Sequence, residues 1–108
     1  MTAWQLRTAK DIIRANLDGE VSLARVAGEC GLSAAHFARA FKASTGTPPH
    51  RRLMDQRIEE SKSLLIGSSF SLSEIAIKYG FSDQSHFTRA FSARVGTTPG
   101  RWRLARGG

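Results

Sequence analysis

The sequence has little cysteine, few acidic residues and no long apolar run. Its one cysteine, Cys30, excludes an internal disulfide and any metal site built from several cysteines. No apolar run approaches the roughly 18 residues of a membrane span. Charges at Arg7, Lys10 and Asp11 interrupt the segment where a signal peptide would have its apolar core. We therefore expect a cytoplasmic protein that holds no metal and no other cofactor.

Acidic residues are also outnumbered, with 9 Asp and Glu against 16 Lys and Arg, so the net charge is +7 and the isoelectric point is near 10.8. Arginine supplies most of this charge, and its guanidinium suits bidentate contacts to phosphate and guanine. A basic chain fits nucleic acid, but also membrane surfaces or acidic proteins. The length of 108 residues suits one compact domain or two very small ones on a shared scaffold.

The spacing of apolar residues indicates helices throughout the chain, and no run of alternating apolar and polar residues indicates a strand. Leu6, Ala9, Ile13 and Leu17 recur at helical spacing, and Gly19 follows them as a stop. These residues predict a first helix near the N-terminus.

Two short helices and one long helix are predicted next. Ser22 precedes "LARVAGEC" as an N-cap and Gly31 ends it, while Ser33 precedes "AAHFARAFKAST" and Gly46 ends it. A longer helix is predicted over residues 49–66. One of its sides carries Met54, Ile58, Ser61 and Leu65.

The second half has the same organisation. Ser71 and Glu74 fit a capping box, Ser82 is the predicted N-cap of the following helix, and Asp83 falls in its first turn. The segment "GRWRL" predicts one closing turn. The fold class is therefore expected to be all-α with about seven helices.

The two halves contain an internal sequence repeat. The segment "HFARAFKASTGTPP" at 36–49 is similar to "HFTRAFSARVGTTP" at 86–99. Each half is a short helix, a glycine turn and a second helix, which is the helix-turn-helix pattern. The offset is 49 before the turn and 50 after it, so one extra residue is expected between Ser82 and His86. We predict helix-turn-helix subdomains at 1–48 and 67–108, joined by a linker helix at 49–66.

The second helix of each pair has two distinct faces. Phe37 and Phe41 lie one turn apart, as do Phe87 and Phe91, and we expect all four to be buried. Arg39 and Arg89 then point nearly the opposite way. The outer faces are otherwise small or hydrogen-bonding, which suits a recognition helix in the major groove. A linker of about 27 Å would let two such helices read successive groove segments on one side of a duplex.

The segment "IAIKYGFSDQSHFTRAFSARVGTTPGRWR" resembles the signature of the AraC/XylS family of bacterial transcription regulators. The matching positions are Ile75, Ala76, Gly80, Phe81, Ser82, Phe87, Arg89, Phe91, Gly96, Pro99, Trp102 and Arg103. "LSAAHFARAFKASTGTPP" matches more loosely, and "RIEESKSLL" resembles the family's linker helix. Ser61 stands where the family commonly has alanine, and we expect a carbonyl one turn back to accept from its hydroxyl.

The resemblance implies sequence-specific binding of double-stranded DNA, in the nucleoid, to regulate transcription. It implies base contacts from Ala35, Ala38, Arg39, Gln84, Ser85, Thr88 and Arg89. Phosphate contacts are expected at Ser33, His36, Lys42, Ser82, His86, Ser92, Arg101 and Arg103. RNA polymerase is an expected partner of an activator. We expect the chain to be the C-terminal domain of a longer regulator, in which an effector ligand acts through another domain. The isolated chain is expected to be a monomer.

Other interpretations remain open. The chain could be a stand-alone regulator, a module beside a DNA-repair methyltransferase, or a scaffold that binds another protein. The methyltransferase reading needs a reactive cysteine, whereas Cys30 is predicted to be a half-buried apolar residue. Trp4 and Trp102 are interpreted as packing anchors. His36 and His86 fit either a phosphate contact or a local hydrogen bond.

Overall fold

The computed structural model describes residues 1–17 and 22–107, and these residues form seven helices with no strand. The helices are α1 (Ala3–Ala15), α2 (Leu23–Glu29), α3 (Ala34–Thr45), α4 (Pro49–Gly67), α5 (Leu72–Lys78), α6 (Gln84–Val95) and α7 (Pro99–Ala105). The predicted all-α class with two helix-turn-helix units and a long linker helix is confirmed. The first helix ends earlier than predicted, at Ala15 and before Leu17, and the predicted stop at Gly19 lies outside the described residues.

Side-chain caps define where most of the helices begin. The hydroxyls of Ser22, Ser33 and Ser71 each accept the backbone N–H three residues on, which confirms these three N-caps. At Ser71 this bond is one half of the predicted capping box, and the structure records no return bond to the Glu74 side chain. Helix α1 begins with a capping box between Thr2 and Gln5, which the sequence analysis did not single out. Such caps satisfy amides that have no partner within the helix.

The predicted cap of α6 was wrong. Asp83, not Ser82, is the N-cap, because its Oδ1 accepts the N–H of His86 at 2.7 Å. Ser82 lies outside the helix as the extra residue of the second unit. The amides of Leu32 and Phe81 make equivalent bonds before the cap, 49 positions apart, and the caps Ser33 and Asp83 are 50 apart. A carboxylate suits this position because it meets the positive end of the helix dipole.

The chain divides into two compact units, Met1–Met54 and Asp55–Gly108, with the boundary inside α4. In the first unit, α1, α2 and α3 enclose one apolar core. The residues of this core are Ala9, Ile13, Val26, Ala27, Cys30, Phe37, Phe41 and Leu53. Phe37 and Phe41 lie 5.6 Å apart between ring centroids, so the buried face of α3 is the predicted one.

The second unit is built on a row of aromatic rings. Phe81, Phe87, Phe91 and Trp102 follow one another with centroid separations of 5.2, 5.8 and 6.0 Å. All four are buried, which confirms the interpretation of Trp102 as a packing residue. Aromatic pairs at such separations and tilts add to the stabilisation from burial alone.

The predicted side of the long helix is buried as well. Met54, Ile58, Ser61 and Leu65 are all inaccessible or nearly so. Ser61 Oγ donates to the Ile58 carbonyl at 2.6 Å, which confirms how the polar group is accommodated. No helix of the described residues has the length and apolar character to cross a bilayer.

Two single-residue interpretations need correction. Trp4 is 58% exposed, so it does not anchor α1. Cys30 is fully buried rather than half-buried: its Sγ donates to the Gln5 carbonyl at 3.4 Å, and Gln5 Nε2 donates to the Cys30 carbonyl at 3.1 Å. Burial, with a smaller effect of Glu29, raises the pKa of this thiol, which keeps it protonated and unreactive.

We expect Phe87→Ala to destabilise the protein by about 3–5 kcal/mol, because it removes a fully buried ring from the centre of the aromatic row. Urea unfolding followed by circular dichroism measures the loss. Phe70→Ala is the matched control, since Phe70 is 45% exposed and should change stability little. Equal effects of the two variants would contradict the assigned inner face of α6.

Candidate nucleic-acid interface

The outward face of α6 collects the four residues predicted to contact bases in the second unit. Since Phe87 and Phe91 are fully buried, the opposite side of the helix faces solvent. This side forms an open hollow of about 420 Å³ lined by Gln84, Ser85, Thr88 and Arg89. Thr88 is half-buried and the other three are exposed, so an amide, two hydroxyls and a guanidinium lie on one accessible surface.

The start of α6 holds His86 in a defined orientation. The Ser82 N–H donates to Nδ1 of His86 at 3.4 Å, and Ser82 Oγ lies 3.3 Å from the same nitrogen. Phe81 packs edge-on against the imidazole at 5.1 Å. Because Nδ1 accepts a hydrogen bond, the neutral ring carries its proton on Nε2. His86 therefore makes the local hydrogen bond that was one of its two interpretations, and its Nε2–H remains a donor.

The corresponding face of α3 is chemically plainer. Ala35, Ala38 and Arg39 are all exposed, as are His36 and Lys42, so one guanidinium stands among methyl groups. Ser33 Oγ accepts the N–H of His36 at 3.2 Å. The interface of the first unit thus has fewer hydrogen-bonding side chains than that of the second.

The three remaining predicted phosphate contacts lie in different surroundings. Ser92 is half-buried on α6, and Arg101 is exposed on α7. Arg103 is half-buried, and its Nε donates to the Leu65 carbonyl at 2.8 Å. Its Nη2 lies 3.4 Å from the carbonyls of Leu64 and Ser68.

Arg103 therefore satisfies carbonyls at the C-terminal end of α4, where a helix leaves acceptors without partners and where positive charge is favoured. Sequence reasoning missed this structural function, since nothing local links Arg103 to a segment 35 to 39 positions earlier. It also missed Asp83, although the change of offset from 49 to 50 was a usable signal. Within residues 1–17 and 22–107, no cluster of three or more His, Cys, Asp or Glu could hold a metal ion.

Comparisons with known proteins show the family to which the chain belongs. A family model described as "Helix-turn-helix domain" matches residues 26–105. An AraC-type DNA-binding-domain protein of Chromobacterium violaceum is 28% identical in sequence and superimposes with a TM-score of 0.86, covering 94% of this chain and 91% of that one. The chain belongs to the AraC-type helix-turn-helix family.

Two further relatives bear on function. The DNA-binding domain of the global transcriptional factor AdpA, solved in complex with a target DNA, is 26% identical with a TM-score of 0.86, and the match covers 94% of this chain and 91% of that domain. The HTH-type transcriptional activator Btr of Bacillus subtilis is 31% identical over 79 residues. This AraC-type domain is accordingly a DNA-binding domain of the kind found in transcription regulators.

The match to Btr covers 73% of this chain but 15% of the activator. The other curated relatives are also several times longer than the shared domain, because their matches to this chain cover 23% and 29% of their lengths.

Arg103→Ala should lower the free energy of unfolding by about 1–2 kcal/mol, because it leaves carbonyls at the end of α4 without their charged donor. Arg101→Ala, which removes an exposed arginine from the same helix, should change stability by less than about 0.5 kcal/mol. Thermal unfolding of both variants gives the comparison. A Tm for Arg103→Ala equal to that of the Arg101→Ala control would mean that the contacts to Leu64, Leu65 and Ser68 do not stabilise the second unit.

Proposed function

We propose that the chain binds specific sequences in double-stranded DNA with two recognition helices, α3 and α6, and thereby regulates transcription. The observation that carries this proposal is the outward face of α6, where Gln84, Ser85, Thr88 and Arg89 line one open hollow. These are the side-chain types that read base edges in the major groove. The major groove is wide enough to admit an α-helix that presents such side chains.

The chemistry of α6 favours reading of purines. Arg89 can donate two hydrogen bonds to the O6 and N7 of a guanine, and Gln84 can pair with the N6 and N7 of an adenine. Ser85 and Thr88 accept or donate, so they can adapt to either base. A face with four such groups supports a contact that discriminates strongly between sequences.

The chemistry of α3 supports a narrower set of contacts. Arg39 is its one long base-reading side chain, and Ala35 and Ala38 offer methyl groups that suit the methyl group of thymine. We infer that α3 reads mainly one guanine together with apolar contacts. We further propose that α3 and α6 read successive major-groove segments, and the duplication of the unit supports this.

Phosphate contacts complete the proposed interface and fix its register on the duplex. We assign them to the exposed or half-buried donors around both helices, namely Ser33, His36, Lys42, Ser82, His86, Ser92 and Arg101. Arg103 is left out, because its guanidinium already donates to carbonyls of α4 and the loop after it. The proposed subdomains remain 1–48 and 67–108, with the linker helix between them.

We further propose that this domain acts within a longer regulator that responds to an effector through another domain and contacts RNA polymerase where it activates. The relatives' greater length supports this reading. The domain itself performs no catalysis in this proposal. The alternative of a methyltransferase function finds no support at Cys30, since the thiol is buried and its pKa is raised.

Arg89→Ala and Arg39→Ala should weaken binding to a selected site more than binding to a scrambled site, with a loss of about 1–3 kcal/mol in discrimination for each good bidentate contact. We expect Arg89→Ala to have at least as large an effect, because Gln84, Ser85 and Thr88 surround Arg89 whereas alanines flank Arg39. The site is first selected from random DNA, and affinities are then measured across a salt series.

Arg101→Ala is the control, because loss of a phosphate contact weakens all sequences alike and lowers the salt slope by about one unit. If Arg89→Ala and Arg39→Ala behave like this control, both arginines contact the backbone and DNA shape would supply the specificity.

The isolated chain is expected to be a monomer, since it carries both recognition helices itself. Sedimentation equilibrium at micromolar concentration, without DNA, checks this. A stable dimer in that experiment would refute the expectation.

A further inference from the structure

An ion pair ties α6 to α4 inside the second unit. Arg94 Nε donates to Asp55 Oδ1 at 2.7 Å, and Arg94 Nη1 donates to the Ala90 carbonyl at 3.2 Å. Arg94 follows Phe87 by seven positions and Phe91 by three, so it lies on the same side of α6 as these buried rings, although Arg94 itself is exposed. Its guanidinium is therefore directed to the scaffold and not to the surface that carries Arg89.

The pair is poorly suited to stabilising the fold. The side chain of Arg94 is 28% exposed and that of Asp55 is 48% exposed, so solvent screens the attraction. Ion pairs in such surroundings contribute little to the free energy of unfolding. The contact is nevertheless short, and the second bond to Ala90 fixes the arginine rotamer against its own helix.

The first unit has a different residue at the corresponding place. Ser44 precedes Arg94 by 50 positions, and it is exposed and uncharged, so α3 cannot form this ion pair. The tether thus belongs to the helix whose outer face is rich in hydrogen-bonding side chains. Base-edge hydrogen bonds tolerate little displacement, whereas contacts made by methyl groups tolerate more.

We propose that Asp55 and Arg94 are specificity-determining positioning residues, which set the inclination of α6 so that Gln84, Ser85, Thr88 and Arg89 meet base edges. This inference rests on the proposed reading function of α6. Gln84 lies about 15 Å along the helix from Arg94, so a tilt of about 5° would displace it by roughly 1 Å. A shift of that size breaks hydrogen bonds to bases but leaves flexible phosphate contacts intact.

The test compares Asp55→Ala with Glu59→Ala on the selected and the scrambled DNA. Glu59 lies on the same helix, and its carboxylate pairs with Lys62 at 3.0 Å, so both variants remove one acid and one ion pair from α4. Both raise the net charge by one, and binding to scrambled DNA should become equal or slightly tighter in each. Only Asp55→Ala should weaken binding to the selected site, by about five-fold, with thermal stability nearly unchanged in both variants.

Selection of bound sequences from random DNA then shows at which base positions each variant loses its preference. With Asp55→Ala we expect base preferences to relax at the positions that Arg89→Ala also relaxes, and to persist at those that depend on Arg39. Asp55→Asn, which keeps an acceptor for Arg94 Nε, should recover part of the discrimination. The double variant Asp55→Arg with Arg94→Asp should discriminate between selected and scrambled DNA better than either of its single substitutions.

The outcomes separate this inference from the function on which it rests. If Arg89→Ala changes base preference while Asp55→Ala behaves like Glu59→Ala, the positioning role is overturned and the reading function of α6 stands. If Arg89→Ala leaves base preference unchanged, the reading function fails, and the positioning role fails with it. A loss for Asp55→Ala that is equal on selected and scrambled DNA also overturns the inference.

Discussion

The structure depends on pairs of phenylalanines one helical turn apart. Phe37 with Phe41 and Phe87 with Phe91 are buried completely, and each pair fixes which side of its helix faces the core. The direction of Arg39 and Arg89 follows from this burial, because residues two positions from a buried ring point nearly opposite to it. The apolar packing of four rings thus determines which polar side chains remain available to a ligand.

The sequence was sufficient to predict the helices, the buried faces of α3 and α6, and the duplicated helix-turn-helix unit. Helical spacing and capping serines are local signals, and the internal sequence repeat gave each of them a second, independent occurrence. It was insufficient for Arg103, which donates to carbonyls of a distant segment, and for Trp4, which is exposed rather than packed. At the start of α6 both Ser82 and Asp83 are good caps, and only the backbone path decides that the carboxylate caps the helix. The base and phosphate contacts remain predictions, since they depend on the path of the DNA.

The two units share a buried pair of phenylalanines and differ on the surface. The extra residue Ser82 and the ring of Phe81 fix His86, whereas His36 is exposed. Arg94 reaches Asp55, whereas Ser44 cannot form such a pair. Both differences concern α6: one orients the side chain of His86, and the other adds an ion pair to α4. If α3 and α6 both contact bases as proposed, these two additions would make α6 the more selective helix.

The placement of the two tryptophans gives the protein an internal optical reporter. Trp4 belongs to the first unit and is 58% exposed, so its fluorescence should resemble that of an indole in water whether or not the unit is folded. Trp102 is buried in the second unit, with Phe91 at 6.0 Å and the Arg106 guanidinium at 4.2 Å from its ring. A red shift of emission during denaturation therefore reports chiefly on the second unit, whereas circular dichroism reports on the helices of both.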